Sequence, residues 1–297
     1  MKLFVAGAGG QVGRELRRLE WPAGYDVVGL DLAGLDITSR DAVFAAMARH
    51  SPDLVINAAA YTAVDKAESE PEAAQAGNCG GPANLAAACR EAGAPLIHIS
   101  TDYVFDGSKE GAYREDDPVK PLGAYGRTKE AGDRAVREAL RQHVIVRTAW
   151  VYSAHGHNFV KTMLRLGAER PVLRVVADQR GCPTSAADIA GALASIVERI
   201  AAGDSRWGTY HFSGAGPTTW HGFAEAIFEA AEPWTGKRPT VEAIATADYP
   251  TPARRPANSV LDCSRIGVDY GVVPRPWREA LGEVVAELFA GQPPRSR

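Results

Sequence analysis

A tyrosine and a lysine stand four residues apart in "AYGRTKEAG", as Tyr125 and Lys129. The residues before them, "DPVKPLG", are turn formers, and those after, "KEAGDRAVREALRQ", favour helix. The pair therefore opens a helix, where positions i and i+4 share a face. A phenol with a pKa of about 10 is a poor acid-base group at neutral pH. A nearby ammonium favours the phenolate and brings that pKa closer to working pH. Aimed at one point, the two suit a proton relay, such as a ketone needs when hydride addition turns its oxygen into an alkoxide. Tyr and Lys at this spacing also occur on ordinary solvated helix faces, so the surrounding elements must decide.

Short apolar runs alternate with helical stretches through the first half. The runs are "KLFVAG" (2–7), "YDVVGLD" (25–31), "DLVINAAA" (53–60), "PLIHIS" (95–100) and "HVIVRTAWVY" (143–152). Helical patterns fill 11–20, 39–50, 71–92 and 125–141. Continuous rather than alternating apolar runs mean strands buried on both faces. Strand-helix alternation predicts an α/β fold, a Rossmann-like doubly wound parallel sheet. The second half is less regular. It offers helices near 158–168, 186–201, 220–231 and 277–290, strands in "PVLRVVAD" and "GTYHFSG", and an ordered loop in "PTPARRP" (250–256). The expected division is a dinucleotide-binding domain over 1–150 and a smaller substrate-binding domain over 151–297. Segments near 172–177 and 209–213 are expected to return to the main sheet.

After the first run comes "GAGGQVG", with Gly7, Gly10 and Gly13 at three-residue intervals. Glycines at a strand-to-helix turn let backbone amides approach a pyrophosphate, and the helix N-terminus favours its charge. The strict G-x-G-x-x-G spacing fails, since Val12 stands where a third glycine would follow Gly7 and Gly9. The strand before, the helix after and an acid, Asp31, ending the next strand supply the context of a dinucleotide site. The fourth run leads into "ISTDYVFDG", and "NAAAYTAVD" follows the third. Ligands of open α/β sheets sit outside the carboxyl ends of the strands, so Ser100 to Tyr103 and Asn57 to Thr62 share that edge. The Thr101 hydroxyl is suited to hydrogen-bond a carbonyl oxygen as charge develops there.

Composition sets bounds. Of 297 residues, 45% are hydrophobic and 23% charged, as in an ordinary globular chain, and the net charge of −3 gives no reason to expect nucleic acid. No apolar stretch approaches the roughly 18 residues of a membrane span, and the start is too short in apolar residues for a signal peptide. Cys79, Cys89, Cys182 and Cys263 lack Cys-x-x-Cys spacing, which fits free thiols in a reducing cytoplasm. His98, His155 and His157 show no metal spacing.

Taken together, the glycine triplet, the Ser-Thr of the fourth strand and Tyr-x-x-x-Lys resemble the extended short-chain dehydrogenase/reductases. "NAAAYTAVDKAESEPEAAQAGN", "STDYVFDG", "YGRTKEAGD", "RTAWVY", "NFVKTMLRL" and "YPTPARRPANSVLD" resemble more closely the dTDP-4-dehydrorhamnose reductases, across essentially the whole chain. The resemblance implies a Rossmann domain with a small C-terminal domain. The implied reaction reduces the C4 ketone of a dTDP-sugar with NADH or NADPH. It makes Tyr125 the proton donor, with Lys129 supporting it and touching the nicotinamide ribose. Thr101 would hold the C4 oxygen beside Asp102. Gly10, Gln11 and Val12 would cradle the pyrophosphate, Asp31 take the adenosine ribose, and Asp36 and Ile37 flank the adenine. Ala60, Tyr61, Thr62 and Ile99 would line the cofactor, and Tyr103 and Trp150 wall the sugar. Asn78 would help shape the site.

Asn158 reads either as a helix N-cap or as a ligand of the substrate diphosphate. Arg255, paired with Arg254, reads either as part of a solvated loop or as a phosphate clamp. Tyr61 stands where relatives commonly have His. Some relatives form a homodimer with magnesium held by glutamates. Glu15 is present, but "PTSAADIA" lacks a Glu, so no metal is expected. Asp31 and Asp36, with no Lys or Arg in "LAGLD", predict a preference for NADH with NADPH tolerated, since a base from elsewhere, such as Arg40, is within reach of a 2′-phosphate. Two other readings stay open: a non-catalytic module related to the regulatory subunit of methionine adenosyltransferase, and a reductase giving the C4-epimeric 6-deoxy-talose.

Overall fold

The computed structural model describes residues 1–292. The last five residues of the expected second domain lie outside the described ones. Five apolar runs form parallel strands: β1 (Lys2–Ala6), β2 (Asp26–Leu30), β3 (Leu54–Asn57), β4 (Leu96–Thr101) and β5 (His143–Thr148). A sixth, Gly208–His211, pairs in parallel with β5, and the sheet order is Gly208–His211, β5, β4, β3, β1, β2. The order reverses between β1 and β3, which opens a crevice at their carboxyl ends.

Alternate strand residues face opposite sides, and each side is sealed by helices. On one side Leu3, Val5, Ile56, Ile97 and Val146 pack with α1 (Gln11–Arg18) and with Ile189, Leu193 and Ile196 of the Ala186–Ala201 helix. On the other, Phe4, Val55, Leu96 and Ile145 meet α2 (Arg40–His50), α4 (Gly81–Ala92) and α5 (Ala124–Ala139). A separate core joins Tyr152, Val160, Phe223, Ile227, Trp277 and Leu281. These come from α6 (Phe159–Glu169), α8 (Trp220–Thr235), α10 (Trp277–Leu288) and the chain before α6. Asn158 and Thr219 cap α6 and α8, accepting from the amides of Lys161 and Gly222.

Three expectations are corrected. Val172–Val176 does not return to the main sheet; it pairs in parallel with Thr240–Ile244 in a sheet of its own. Its burial alternates, with Leu173 inside and Arg174 outside, as suits a strand covered on one face. The run 143–152 is not one strand. It breaks after Thr148 at Trp150, whose φ is +47°, and resumes as Val151–Tyr152 beside Thr184–Ser185. Residues 71–92 are helical but not uniform: α3 (Pro71–Gln75) passes through a π-helical turn, Ala76–Gly80, into α4. All four cysteines are free. Among the described residues, no helix is long and apolar enough to cross a membrane.

Candidate active site

β1 ends in the glycine loop. Gly7 sits at φ +80°, and both its amide and that of Ala8 donate to the Leu30 carbonyl at the end of β2. A Cβ on Gly7 would come within 2.5 Å of the Ala59 nitrogen, and one on Gly13 within 2.2 Å of the Gly7 oxygen. Only bare backbone fits, which is why the chain places glycine at both. Gly10 is the N-cap of α1 and supplies no side-chain cap, so the first amides of Gln11 and Val12 are left without that partner. Gln11 reaches sideways: its Oε1 accepts from Ser153 Oγ at 3.0 Å and from Asn158 Nδ2 at 2.9 Å. The glycine loop is thereby tied to the start of α6. Asn158 is the predicted N-cap, and its amide donates only to protein oxygens, those of Gln11, Ser153 and His155.

Asp31 is exposed at the end of β2 and accepts from the Gly34 amide at 3.1 Å. Asp36 is also exposed but is engaged by the Thr38 amide and hydroxyl. Ile37 is buried, and only the absence of a side chain on Gly81 makes room for it. A cavity of about 600 Å³ opens beside Asp31 and Gly9, and its wall carries Arg14, Arg17 and Arg18 of α1. Arg14 donates to the Gly9 carbonyl and Arg18 to Glu287, whereas Arg17 has no hydrogen-bond or salt-bridge partner among the described residues. Arg40, at the start of α2, lies over the Phe44 ring, 4.4 Å from its centroid.

Ala60 and Thr62 are exposed after β3. Tyr61 between them is gripped by Asn78: its amide donates to Asn78 Oδ1 at 2.9 Å and its carbonyl accepts from Nδ2 at 3.1 Å. Asn78 Nδ2 also reaches Thr128 Oγ1 on α5. The π-helical turn sets this wholly buried amide in place. Sequence reasoning left its role open because the turn is invisible in "AGNCG". The Tyr61 hydroxyl donates to Glu70 Oε2, and that bond raises its pKa.

Thr101 ends β4 and caps a short turn, Asp102–Val104. Its hydroxyl accepts from the Tyr103 amide and donates to Asp102 Oδ1 at 3.0 Å. Burial drives the Asp102 carboxyl up to about 7, against hydrogen bonds from Ser259 and Thr101 that pull it down. Tyr125, near the start of α5, lies near enough to Thr101 for that hydroxyl to lower its pKa, and meets Tyr103 edge to face at 5.9 Å. Lys129, one turn on, is buried, and its Nζ donates to the Ile99 carbonyl at 2.8 Å. Burial lowers its pKa to about 8, and Asp133 works the other way.

One electrostatic expectation is corrected here. Burial, Asp102 and Asp133 hold the Tyr125 phenol above its ordinary pKa; the Thr101 hydrogen bond is what lowers it, and Lys129 is not among the influences. The ammonium is turned to the β4 backbone, and it is itself brought down by burial.

Trp150 and Trp220 stack at 3.6 Å. Trp220 was missed by sequence reasoning, since nothing in "TTWHGF" separates it from core. Arg255 is anchored rather than free. It pairs with Asp65 at 2.8 Å and donates to Thr251 and to the Ala253 carbonyl, so it ties the 250–256 loop to the chain after β3. Among the described residues no three His, Cys, Asp or Glu side chains gather as metal ligands. Glu15 faces Arg18 and His155.

The RmlD substrate binding domain family matches residues 1–290. A dTDP-4-dehydrorhamnose reductase of Aggregatibacter actinomycetemcomitans is 45% identical over 289 residues, covering 96% of this chain and 98% of that protein. The solved dTDP-4-dehydrorhamnose reductase of Clostridium acetobutylicum superposes with a TM-score of 0.90 at 40% identity, over 97% of this chain and 99% of that one. The Bacillus anthracis enzyme of the same name, solved with NADP, gives 0.89 at 36% identity, over 96% and 99%.

Proposed function

The chain belongs to the RmlD substrate binding domain family, the dTDP-4-dehydrorhamnose reductases, and from that premise we propose how it works: it reduces the C4 ketone of dTDP-4-dehydro-β-L-rhamnose to give dTDP-L-rhamnose, with NAD(P)H as reductant. The carrying observation is the convergence of Thr101, Tyr125 and Lys129 at the carboxyl edge of β4, beside a loop that only glycine can form.

The residues present fit a dinucleotide. The glycine loop brings bare backbone against the end of β3, and the amides of Gln11 and Val12 at the head of α1, with Gly10 as the bare N-cap, suit a pyrophosphate. Asp31 would hold the adenosine ribose, Asp36 and Ile37 flank the adenine, and Ala60, Tyr61 and Thr62 form the opposite wall. When bound, the cofactor supplies the hydride.

This chain's own residues handle the proton. Tyr125, held above its ordinary pKa, is protonated at neutral pH and gives its proton to the C4 oxygen. Thr101, beside that phenol, turns its hydroxyl from Asp102 to steady the same oxygen as charge builds. Lys129 spends one of its three N–H donors on Ile99 and keeps two for ribose hydroxyls. Its ammonium, turned to the β4 backbone, thereby serves to seat the cofactor ribose beside the phenol. Asp102 and Tyr103 border the sugar, Trp150 closes the far wall, and Arg255, held by Asp65, stands at the substrate side. The cofactor half is assigned to about the first 150 residues and the sugar-nucleotide half mainly to the rest.

Incubation with dTDP-4-dehydro-L-rhamnose and NADH or NADPH, followed by NMR of the sugar, tests the reading. The expected product is dTDP-L-rhamnose. A 6-deoxy-talose product would overturn the stereochemistry, and no turnover with either cofactor would overturn the activity.

A further inference from the structure

One turn beyond Lys129 on α5, Asp133 is completely buried. Tyr125, Lys129 and Asp133 follow at four-residue steps, so the three share a helix face. The carboxylate is held from two strands. Its Oδ2 lies 3.4 Å from Arg147 Nε on β5, and its Oδ1 lies 3.6 Å from His98 Nε2 on β4. His98 is also completely buried, and its Nδ1 meets the Asn57 amide nitrogen at 3.0 Å. An amide NH₂ only donates, so Nδ1 accepts and the ring proton of a neutral His98 sits on Nε2, facing Asp133. Neither Asp133 Oδ1 nor His98 Nε2 has a hydrogen-bond partner among the described residues. A carboxylate this deep is not needed to cap or close α5, which makes its place beside the relay informative.

We propose that Asp133 is a positioning residue for the proton relay: held by Arg147 on β5 and buried one helical turn from Lys129, its carboxylate is the counter-charge of the Lys129 ammonium. The inference rests on the relay assigned above. Burial alone discharges an ammonium, and Asp133 is the influence that opposes burial at Lys129. The charged and titratable groups around the pair are His98 on β4, His143 and Arg147 on β5, and Tyr125 and Glu130 on α5 itself. Burial holds both histidines below their ordinary pKa, so neither changes charge above neutral pH. Arg147 also meets Glu130 at 3.4 Å. Asp102, which acts on Tyr125, titrates near 7 and belongs to the acid side. Lys129 is therefore the group whose discharge sets the alkaline limb.

The test is the pH profile of kcat/KM between pH 6 and 10. Asp133→Asn should move the alkaline limb down by about one pH unit or more, since a nearby opposite charge is worth roughly that. Activity at pH 8 then falls on the order of tenfold, and lowering the pH restores it toward wild type. A merely structural lesion would not be rescued by pH. Asp133→Glu should largely restore the limb, and Glu130→Gln, which removes the other carboxylate on Arg147, should leave it in place. Should Asp133→Asn fail to fold, Asp133→Asn with Arg147→Met removes the ion pair together, and the limb must still move. A limb that stays at its wild-type position, or a loss equal at every pH, overturns the proposal. Tyr125→Phe separates this from failure of the relay: full activity there refutes the relay, while inactivity there with an unmoved Asp133→Asn limb refutes only the role of Asp133.

Discussion

The indoles of Trp150 and Trp220 lie face to face, 3.6 Å apart and 7° from parallel. Trp150 holds a left-handed backbone, φ +47°, which costs a bulky residue on the order of 1–3 kcal/mol. A Cβ on Gly181 would fall 2.4 Å from its ring, so glycine there is what admits the indole. The partner that keeps Trp150 in this pose comes from α8, far along the chain. Trp220→Ala should raise the KM for the sugar nucleotide about two- to tenfold, matching the ~0.5–1.5 kcal/mol of an aromatic pair, with kcat changed less. Steady-state kinetics decide it, and an unchanged KM would take the pair out of the sugar wall.

Tyr125→Phe removes one hydroxyl and leaves the ring that meets Tyr103. A general acid contributes roughly 10²–10⁴-fold, so kcat should fall by that order while cofactor affinity barely changes. A kcat within threefold of wild type would remove Tyr125 from the chemistry. Lys129→Met should harm both kcat and cofactor affinity.

Asp102 makes stability depend on pH. Its folded pKa, about 7, is raised above the ordinary carboxylate value by burial. Between pH 4 and 7 the native state therefore binds more protons at this site than the unfolded chain does. That contribution to stability is full below about pH 4 and is lost as pH rises toward 7, by an amount on the order of 2–4 kcal/mol. Urea unfolding of Asp102→Asn should show a flatter dependence over this window than wild type. Parallel curves would mean the carboxyl is ionised at low pH, as an ordinary Asp is.

Cofactor choice sets Asp31 against the arginines of α1. The acid favours a free ribose 2′-hydroxyl, so NADH remains the expected preference. Arg17, unpartnered on the same cavity wall, offers charge to a 2′-phosphate and should keep the gap in kcat/KM below about tenfold, or 1.4 kcal/mol. Arg17→Ala should weaken NADPH binding about three- to tenfold and NADH binding less than twofold, read by fluorescence titration. Equal effects on both cofactors would place Arg17 away from the phosphate.

Much of this was legible in the sequence because it rests on local rules. Buried parallel strands announce themselves as unbroken apolar runs, and glycines crowded against a neighbouring strand have no substitute. Tyr125 and Lys129 were legible because helix spacing converts directly into a shared face. What was not legible depends on partners distant in sequence. Val172–Val176 reads as a core strand, yet which sheet it joins is decided by Thr240–Ile244. The arginines of α1 bear on Asp31 only because α1 packs over β2. The lowering of the Lys129 pKa by burial, and the turning of its ammonium to the Ile99 carbonyl, follow from depth and orientation, which composition does not carry.

The Gly208–His211 strand has a consequence for how the molecule can be divided. It forms the outer edge beside β5, and the Ala186–Ala201 helix covers the face that α1 leaves open, yet both arrive after α6 has entered the second core. The chain thus crosses between its halves several times instead of once. A fragment ending near residue 150 would leave β5 as a bare edge and expose the apolar side chains Leu3, Val5, Ile56 and Val146 to water. Recombining separate halves from different relatives at a single junction would fail for the same reason. The covalent weave also means that the second core is joined to the main sheet by several backbone crossings, so cutting one of them would not release it.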